Sequence, residues 1–214
     1  MEITHLGHAS FKIRGKQASL VTDPFSPQMT GLKFPKIEAD IVTVSHNHED
    51  HNAISNVKSQ MSNGPLVISG PGEYEVQGVK ILGVSTFHDS SAGSERGQNT
   101  VYQIKMDGLT LIHLGDLGHK LETKEIEALN GVDILMVPVG GVYTLDGKGA
   151  TQVVGQLEPR IVIPMHYQVA GLKFELEAVD KFLKELGKEG INPQPKLVIT
   201  KDKLPEELEV IVLE

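Results

Sequence analysis

Apolar and polar residues alternate through the first half of the chain, then give way to apolar runs spaced by helical periodicity. Ile3 to Leu6, Ala9 to Ile13 and Ala18 to Thr22 read as short strands, separated by Gly7-His8 and by the hairpin signal Arg14-Gly15-Lys16. Asp23-Pro24-Phe25 ends this meander, because proline cannot donate to a ladder and restricts its predecessor. Residues 26–36 carry Pro27, Gly31 and Pro35 and read as a loop. That loop runs directly into the apolar strand Ile41 to Val44, which makes it a candidate wall or lid. A short helix is expected over Asn52 to Gln60, with Asn52 as its N-cap. Leu66 to Ile68, Glu73 to Gln77 and Val79 to Phe87 follow as strands, with Gly70-Pro71-Gly72 turning the chain. Beyond the polar loop His88 to Asn99, the strands Thr100 to Met106 and Leu109 to Leu114 flank Asp107-Gly108, the strongest hairpin signal present.

The second half alternates helix and strand. Helices are expected over Thr123 to Leu129, Thr151 to Leu157 and Phe174 to Leu186, the last with Leu176, Val179, Phe182, Leu183 and Leu186 on one face. Strands are expected over Asp133 to Pro138, Ile161 to Pro164, Pro195 to Thr200 and Leu208 to Leu213. Two sheets covered by helices, an α/β arrangement, accommodate this order. No linker or repeat divides the chain, so residues 1–214 are expected to form one domain.

One stretch breaks the pattern. His46-Asn47-His48-Glu49-Asp50-His51 follows the apolar strand Ile41 to Val44. Three imidazoles and a carboxylate on one turn each need a hydrogen-bond partner in a small space, and a metal ion supplies it. His46 and His48, two apart, can grip one ion; Asp50 and His51, past the turn, can face a second. A lone H-x-H would be an ordinary polar loop, but H-x-H-x-D-H after a buried strand is not. Imidazole and carboxylate suit zinc, manganese and iron alike.

Composition narrows the chemistry. With no cysteine there is no thiolate site or disulfide, so any metal must be held by His, Asp and Glu. Lys and Arg number 20 against 28 Asp and Glu, a formal charge of −8 that argues against a nucleic-acid partner on electrostatic grounds. No window reaches the ~18 apolar residues of a membrane span, and the first residues lack signal-peptide character, so a cytoplasmic protein with no membrane partner is expected.

The remaining histidines fall where strands end: His88 after Phe87, and His166 after Ile161-Val162-Ile163-Pro164-Met165. His113 lies inside an apolar strand and is assigned a structural role, whereas His119 and Arg96, which could face the substrate mouth, are read as solvated surface. Thr4-His5-Leu6-Gly7-His8-Ala9-Ser10, Thr22-Asp23-Pro24, the run 46–51, His88, Leu114-Gly115-Asp116 and Pro164-Met165-His166-Tyr167 together resemble a metallo-β-lactamase-fold hydrolase. Within that superfamily the chain is similar to the small cytosolic branch related to ascorbate-6-phosphate lactonase. The resemblance implies a four-layer αββα sandwich with a dinuclear site at one edge. It implies that His46, His48 and His88 hold one ion, that Asp50, His51 and His166 hold another, and that Asp116 bridges them. His8 would face substrate and Asp23 would orient a ligand imidazole from behind.

The implied cofactors are two divalent ions, zinc or manganese, with iron also compatible. They would share a hydroxide held by Asp50 and Asp116, the catalytic carboxylates, and this would attack a small ester or lactone. Two carboxylates against four positive charges leave such a site electropositive, so an anionic small-molecule substrate is expected. A phosphodiesterase or nuclease of the same superfamily is the alternative, and a non-catalytic metal-binding or regulatory protein on this scaffold is a second. The lactonases of that branch are longer chains, and no role is assigned to residues 26–36 or 142–149.

Overall fold

The structure is a computed structural model that describes residues 1–214. Two sheets pack face to face. The six-stranded sheet runs Leu197–Val198, Glu2–Gly7, Ser10–Arg14, Ser19–Thr22, Ile41–Val44 and Leu66–Ser69 in spatial order. The seven-stranded sheet runs Glu209–Val210, Ile161–Met165, Ile134–Pro138, Leu109–His113, Gln98–Met106, Val79–Phe87 and Gly72–Val76. Period-two alternation explains the packing. Ile3, Phe11, Ile13 and Leu20 point inward to meet Ile81, Tyr102, Ile104, Leu111 and Ile134 in the largest core cluster.

The other face of the seven-stranded sheet is also apolar, as strands buried on both sides must be. Ile112, Leu135, Val137 and Val162 pack there against Ala150, Val153 and Val154 of the helix Gly147–Leu157 and against Phe182 and Leu183 of Val179–Glu185. The outer face of the six-stranded sheet is different. Glu2, Thr4, Lys12 and Arg14 alternate with the inward residues and reach toward solvent, so that part needs little cover. A small cluster of Val21, Ala39, Val42, Val44 and Val57 is closed by the four-residue helix Pro27–Thr30 and a two-stranded sheet, Ile37–Glu38 with Val57–Lys58. The layers are those of an αββα sandwich with one thin outer layer.

Three expected elements differ. Asn52 to Gln60 is not a helix: Ile54–Asn56 makes a 3₁₀ turn and Val57–Lys58 pairs with Ile37–Glu38. Burying Val57 in that pairing outweighs a helical preference that Ser55, Asn56 and Ser59 leave weak. The helix expected over Phe174 to Leu186 is confined to Val179–Glu185. The Glu177 amide donates to Gly140 O at 2.8 Å and the Leu176 amide to Gln168 Oε1 at 2.8 Å, so this segment's backbone is already committed elsewhere. Within the expected loop 26–36, Ser26 caps the short helix Pro27–Thr30, with proline at its first position.

Strand direction decides where chemistry can gather. Glu2–Gly7, Ser19–Thr22, Ile41–Val44, Val79–Phe87, Leu109–His113 and Ile161–Met165 all run the same way, so the residues following them share one edge of the sandwich. Those residues include His8, Asp23, His46, His88, Asp116 and His166.

Candidate metal centre

His8, Asp23 and His166 leave their strands with positive φ, +56°, +37° and +52°. Non-glycine residues seldom adopt this region, and here it turns three side chains back over the sheet edge. Hydrogen bonding holds two of the turns together, since the His166 amide donates to His8 O at 2.9 Å.

The seven expected ligands converge. His46, His48 and His88 form one group whose donor atoms lie within 4.8 Å of one another, and Asp50, His51 and His166 form a second that also contains His8. Asp116 lies between them. Its Oδ2 is 3.9 Å from His46 Nε2, 3.3 Å from His51 Nε2, 3.2 Å from His88 Nε2 and 3.2 Å from His166 Nε2. His8, expected to face substrate, brings Nε2 to 3.2 Å from Asp50 Oδ2; a carboxylate only accepts, so the imidazole donates.

Behind the cluster sits Asp23, fully buried. Its Oδ1 accepts from the Ser45 amide at 2.8 Å, and its Oδ2 accepts from His51 Nδ1 at 3.0 Å. With Nδ1 committed to Asp23, Nε2 is the His51 nitrogen that faces Asp116. Ser45 was not singled out from the sequence, since a serine after a strand carries no signal of its own. His113 stays structural: its Nε2 donates to Ala9 O at 2.8 Å and its Nδ1 accepts from the Gly115 amide, which shapes the turn before Asp116. His119 is not simply solvated, because its Nε2 accepts from the Phe87 amide at 3.1 Å and so braces the residue before His88.

The electrostatics favour ligation. Burial pushes His8 and His46 down to about 3 and lowers His48, keeping these imidazoles neutral and able to coordinate. His51 is the exception: burial works against its charge, but the Asp116 and Asp23 carboxylates overcome it and raise this imidazole well above its ordinary value, so a cation bound at Nε2 displaces a proton. Burial would raise Asp116, yet His166 and His51 hold it well below the carboxylate range.

A metal fits this donor set. Buried polar atoms without a hydrogen-bond partner occur on seven residues, and six of them, His8, His46, His51, His88, Asp116 and His166, belong to this cluster. Orphaned buried polar atoms are costly in a folded protein; those of His46 and His51 are the Nε2 atoms that face Asp116, and a cation there completes them. Above it opens a cavity of about 420 Å³, lined by Met29, Asn47, Glu49, Arg96, Tyr143 and Phe174 together with cluster residues.

Residues 2–166 match the family described as the β-lactamase superfamily domain. The chain belongs to the metallo-β-lactamase superfamily. Its relatives are metal-dependent hydrolases, and this chain is a metal-dependent hydrolase of that superfamily. A UPF0173 metal-dependent hydrolase of Thermococcus onnurineus is 33% identical over 196 residues, covering 78% of this chain and 84% of the relative. Another, from Thermoplasma acidophilum, is 29% identical over 192 residues, 80% of this chain and 85% of that one. Among solved structures, a protein of Thermotoga maritima described as a Zn-dependent hydrolase of the metallo-β-lactamase superfamily is 39% identical. It superposes with a TM-score of 0.81 over 99% of this chain and 97% of that one. No helix of this metallo-β-lactamase-fold hydrolase is long and apolar enough to cross a membrane.

Proposed function

We propose that this hydrolase cleaves a small, anionic ester or lactone at a site holding two divalent cations. His46, His48 and His88 would hold one, Asp50, His51 and His166 the other, with Asp116 shared. The observation that carries this reading is the convergence of two separate groups of ligand-type side chains on Asp116, with the buried Nε2 atoms of His46 and His51 left without a hydrogen-bond partner there. Cations bound there supply a water acidic enough to act at neutral pH and polarise the bond to be cleaved.

The chain's own residues have distinct tasks. Asp23 holds His51 by Nδ1, so that Nε2 is presented in one tautomer. Asp116, held ionised by His166 and His51, has an Oδ1 without a partner, and we assign it the part of hydrogen-bond acceptor that holds the attacking water in place. Asp50 accepts at Oδ2 from Nε2 of His8 at 3.2 Å, which fixes the direction of this carboxylate beside the reacting centre. Phe174 and Met29 line the cavity above and limit water around a bound substrate. Six buried or half-buried ligand-type groups, His46, Asp50, His51, His88, Asp116 and His166, are a heavy cost for a purely structural protein, which supports catalysis over a scaffold role.

Elemental analysis of purified protein, joined to a panel of lactones, carboxylic esters and bis(p-nitrophenyl) phosphate, tests the proposal. Two equivalents of metal with lactone or ester hydrolysis, both lost in His48→Ala, are expected. Hydrolysis of the diester alone would replace this reading with a phosphodiesterase.

A further inference from the structure

The cavity over the metal centre has one cationic side chain in its lining, Arg96. Of the three arginines in the chain, Arg14 pairs with Glu2 at 3.2 Å and Arg160 donates to Glu206 O. The Arg96 guanidinium has no acceptor at all; it rests over the ring of Tyr143, 4.9 Å from the centroid. Stacking uses the flat face of a guanidinium and leaves its N–H donors, which lie in the plane, free at the edge. A planar fork of free donors suits a carboxylate or phosphate.

Both supports of this arginine are ordered. The loop carrying it is folded around Asp89, whose carboxylate accepts from the amides of Ser91, Gly93, Glu95 and Arg96 itself. Tyr143 stands in the turn Gly141 to Leu145, where the Gly141 amide donates to Leu145 O at 3.1 Å. Tyr143 meets Phe174 edge-on at 6.0 Å, and Phe174 meets His8 edge-on at 5.5 Å. An aromatic wall therefore leads from Arg96 at the rim to the ligand cluster. On the same lining, Glu49 carries an unpaired carboxylate that would oppose an anion placed beside it, so a negative group is directed to the Arg96 side.

We infer that Arg96, braced on Tyr143, is the specificity residue that binds a compact oxyanion at the end of the substrate away from the bond being cleaved. The inference rests on the hydrolase reading above and sharpens its substrate class: a small ester or lactone bearing a carboxylate or phosphate tail, laid along Tyr143 and Phe174.

Two measurements decide it. In the first, metal-loaded protein with ¹⁵N-labelled arginine side chains is titrated with sodium acetate and, separately, inorganic phosphate. The Arg96 guanidinium signal is expected to move with one or both, while those of Arg14 and Arg160 stay. Response to acetate alone assigns a carboxylate tail and to phosphate alone a phosphate tail; no response of Arg96 to either overturns the inference. In the second, p-nitrophenyl acetate is compared with mono-p-nitrophenyl succinate as neutral and anionic esters. Arg96→Ala is expected to lower kcat/KM for the succinate by about tenfold, mainly through KM, and to leave the acetate unchanged, with Arg96→Lys intermediate. Equal loss on both esters, or none on either, overturns the role. If the wild type cleaves neither ester or any other panel member, the hydrolase reading fails, and the titration still decides whether Arg96 binds an oxyanion.

Discussion

Ser45 and Asp23, 22 positions apart in sequence, meet with Oγ 2.5 Å from Oδ2. The carboxylate can only accept, so the Ser45 hydroxyl donates to it, and its oxygen is left to accept from Nδ1 of His46 at 2.9 Å. One buried carboxylate therefore fixes two imidazoles: His51 directly and His46 through Ser45. Both then present an unpartnered Nε2 to the cluster.

Ser45→Ala should break this relay at His46 alone, while Asp23→Asn should loosen both imidazoles. Metal affinity is expected to fall about tenfold in the first and toward a hundredfold in the second, the usual range for groups that orient a ligand from behind. Competition with a chromophoric chelator measures both. Wild-type affinity in Ser45→Ala would show that His46 needs no such support.

Gly118 shows the same dependence in the backbone. A Cβ there would stand 2.5 Å from both the carbonyl carbon and oxygen of His88, and backbone cannot yield as a side-chain tip can. Gly118→Ala should cost about 1–3 kcal/mol of stability and lower the metal content by displacing His88. Gly155, with nothing within 4 Å of its Cβ position on the helix Gly147–Leu157, is the control. Gly155→Ala should stabilise by about 0.5–1 kcal/mol and leave metal content unchanged. Urea denaturation and elemental analysis read both variants.

Much of this was legible in the sequence because it depends on local periodicity. Alternation gave away the strand Val79–Phe87, the hairpin signal Asp107-Gly108 the strand read as Thr100 to Met106, which begins two residues earlier at Gln98, and the crowding of His46, His48, Asp50 and His51 after an apolar run has no easy alternative. What stayed hidden depends on long-range contact. Ser45 matters only because Asp23 lies behind it, and Phe174 lines the cavity only because residues 176 and 177 are tied to Gln168 and Gly140 and not to a helix. His119 read as surface because nothing nearby in sequence announces the Phe87 amide it accepts from. Arg96 is exposed, as a loop arginine should be, and only the position of Tyr143, 47 residues on, gives it a direction.

Tyr102 ties the two sheets together through its phenol. The hydroxyl donates to Val44 O at 2.9 Å and accepts from the Gly70 amide at 2.9 Å, although Tyr102 belongs to the seven-stranded sheet and both partners flank strands of the other. Tyr102→Phe keeps the ring in the core but strands the buried Val44 carbonyl and the half-buried Gly70 amide. A loss of about 1–3 kcal/mol in urea unfolding is expected, with metal stoichiometry retained. A change below about 0.5 kcal/mol would mean that the sheets are held by apolar packing alone.

Removing metal should lower thermal stability sharply, since the ligand cluster leaves buried donor atoms unsatisfied without a cation. A cation present at a hundred times its Kd adds about 2.7 kcal/mol to the folded state. Chelation by EDTA should lower Tm by several degrees, and added zinc or manganese should restore it. An unchanged Tm across that series would contradict metal binding at the cluster.

Asp89 offers a pH test outside the ligand set. Its carboxyl is buried, which alone would raise its pKa, but four backbone amides from Ser91 to Arg96 outweigh this and hold it at about 2. An unfolded aspartate titrates near ~3.9. The folded value is the lower one, so the stabilisation of this loop is fully present above about pH 4 and is lost as pH falls toward 2. Amide exchange at Ser91, Gly93, Glu95 and Arg96 should therefore stay slow down to about pH 4, after correction for intrinsic rates, and lose protection below it. Asp89→Asn should remove that protection already at pH 7, because an amide oxygen is a weaker acceptor than a carboxylate and cannot serve four donors as well. If the protection in Asp89→Asn equals that of the wild type at pH 7, the loop is ordered by something other than this carboxylate.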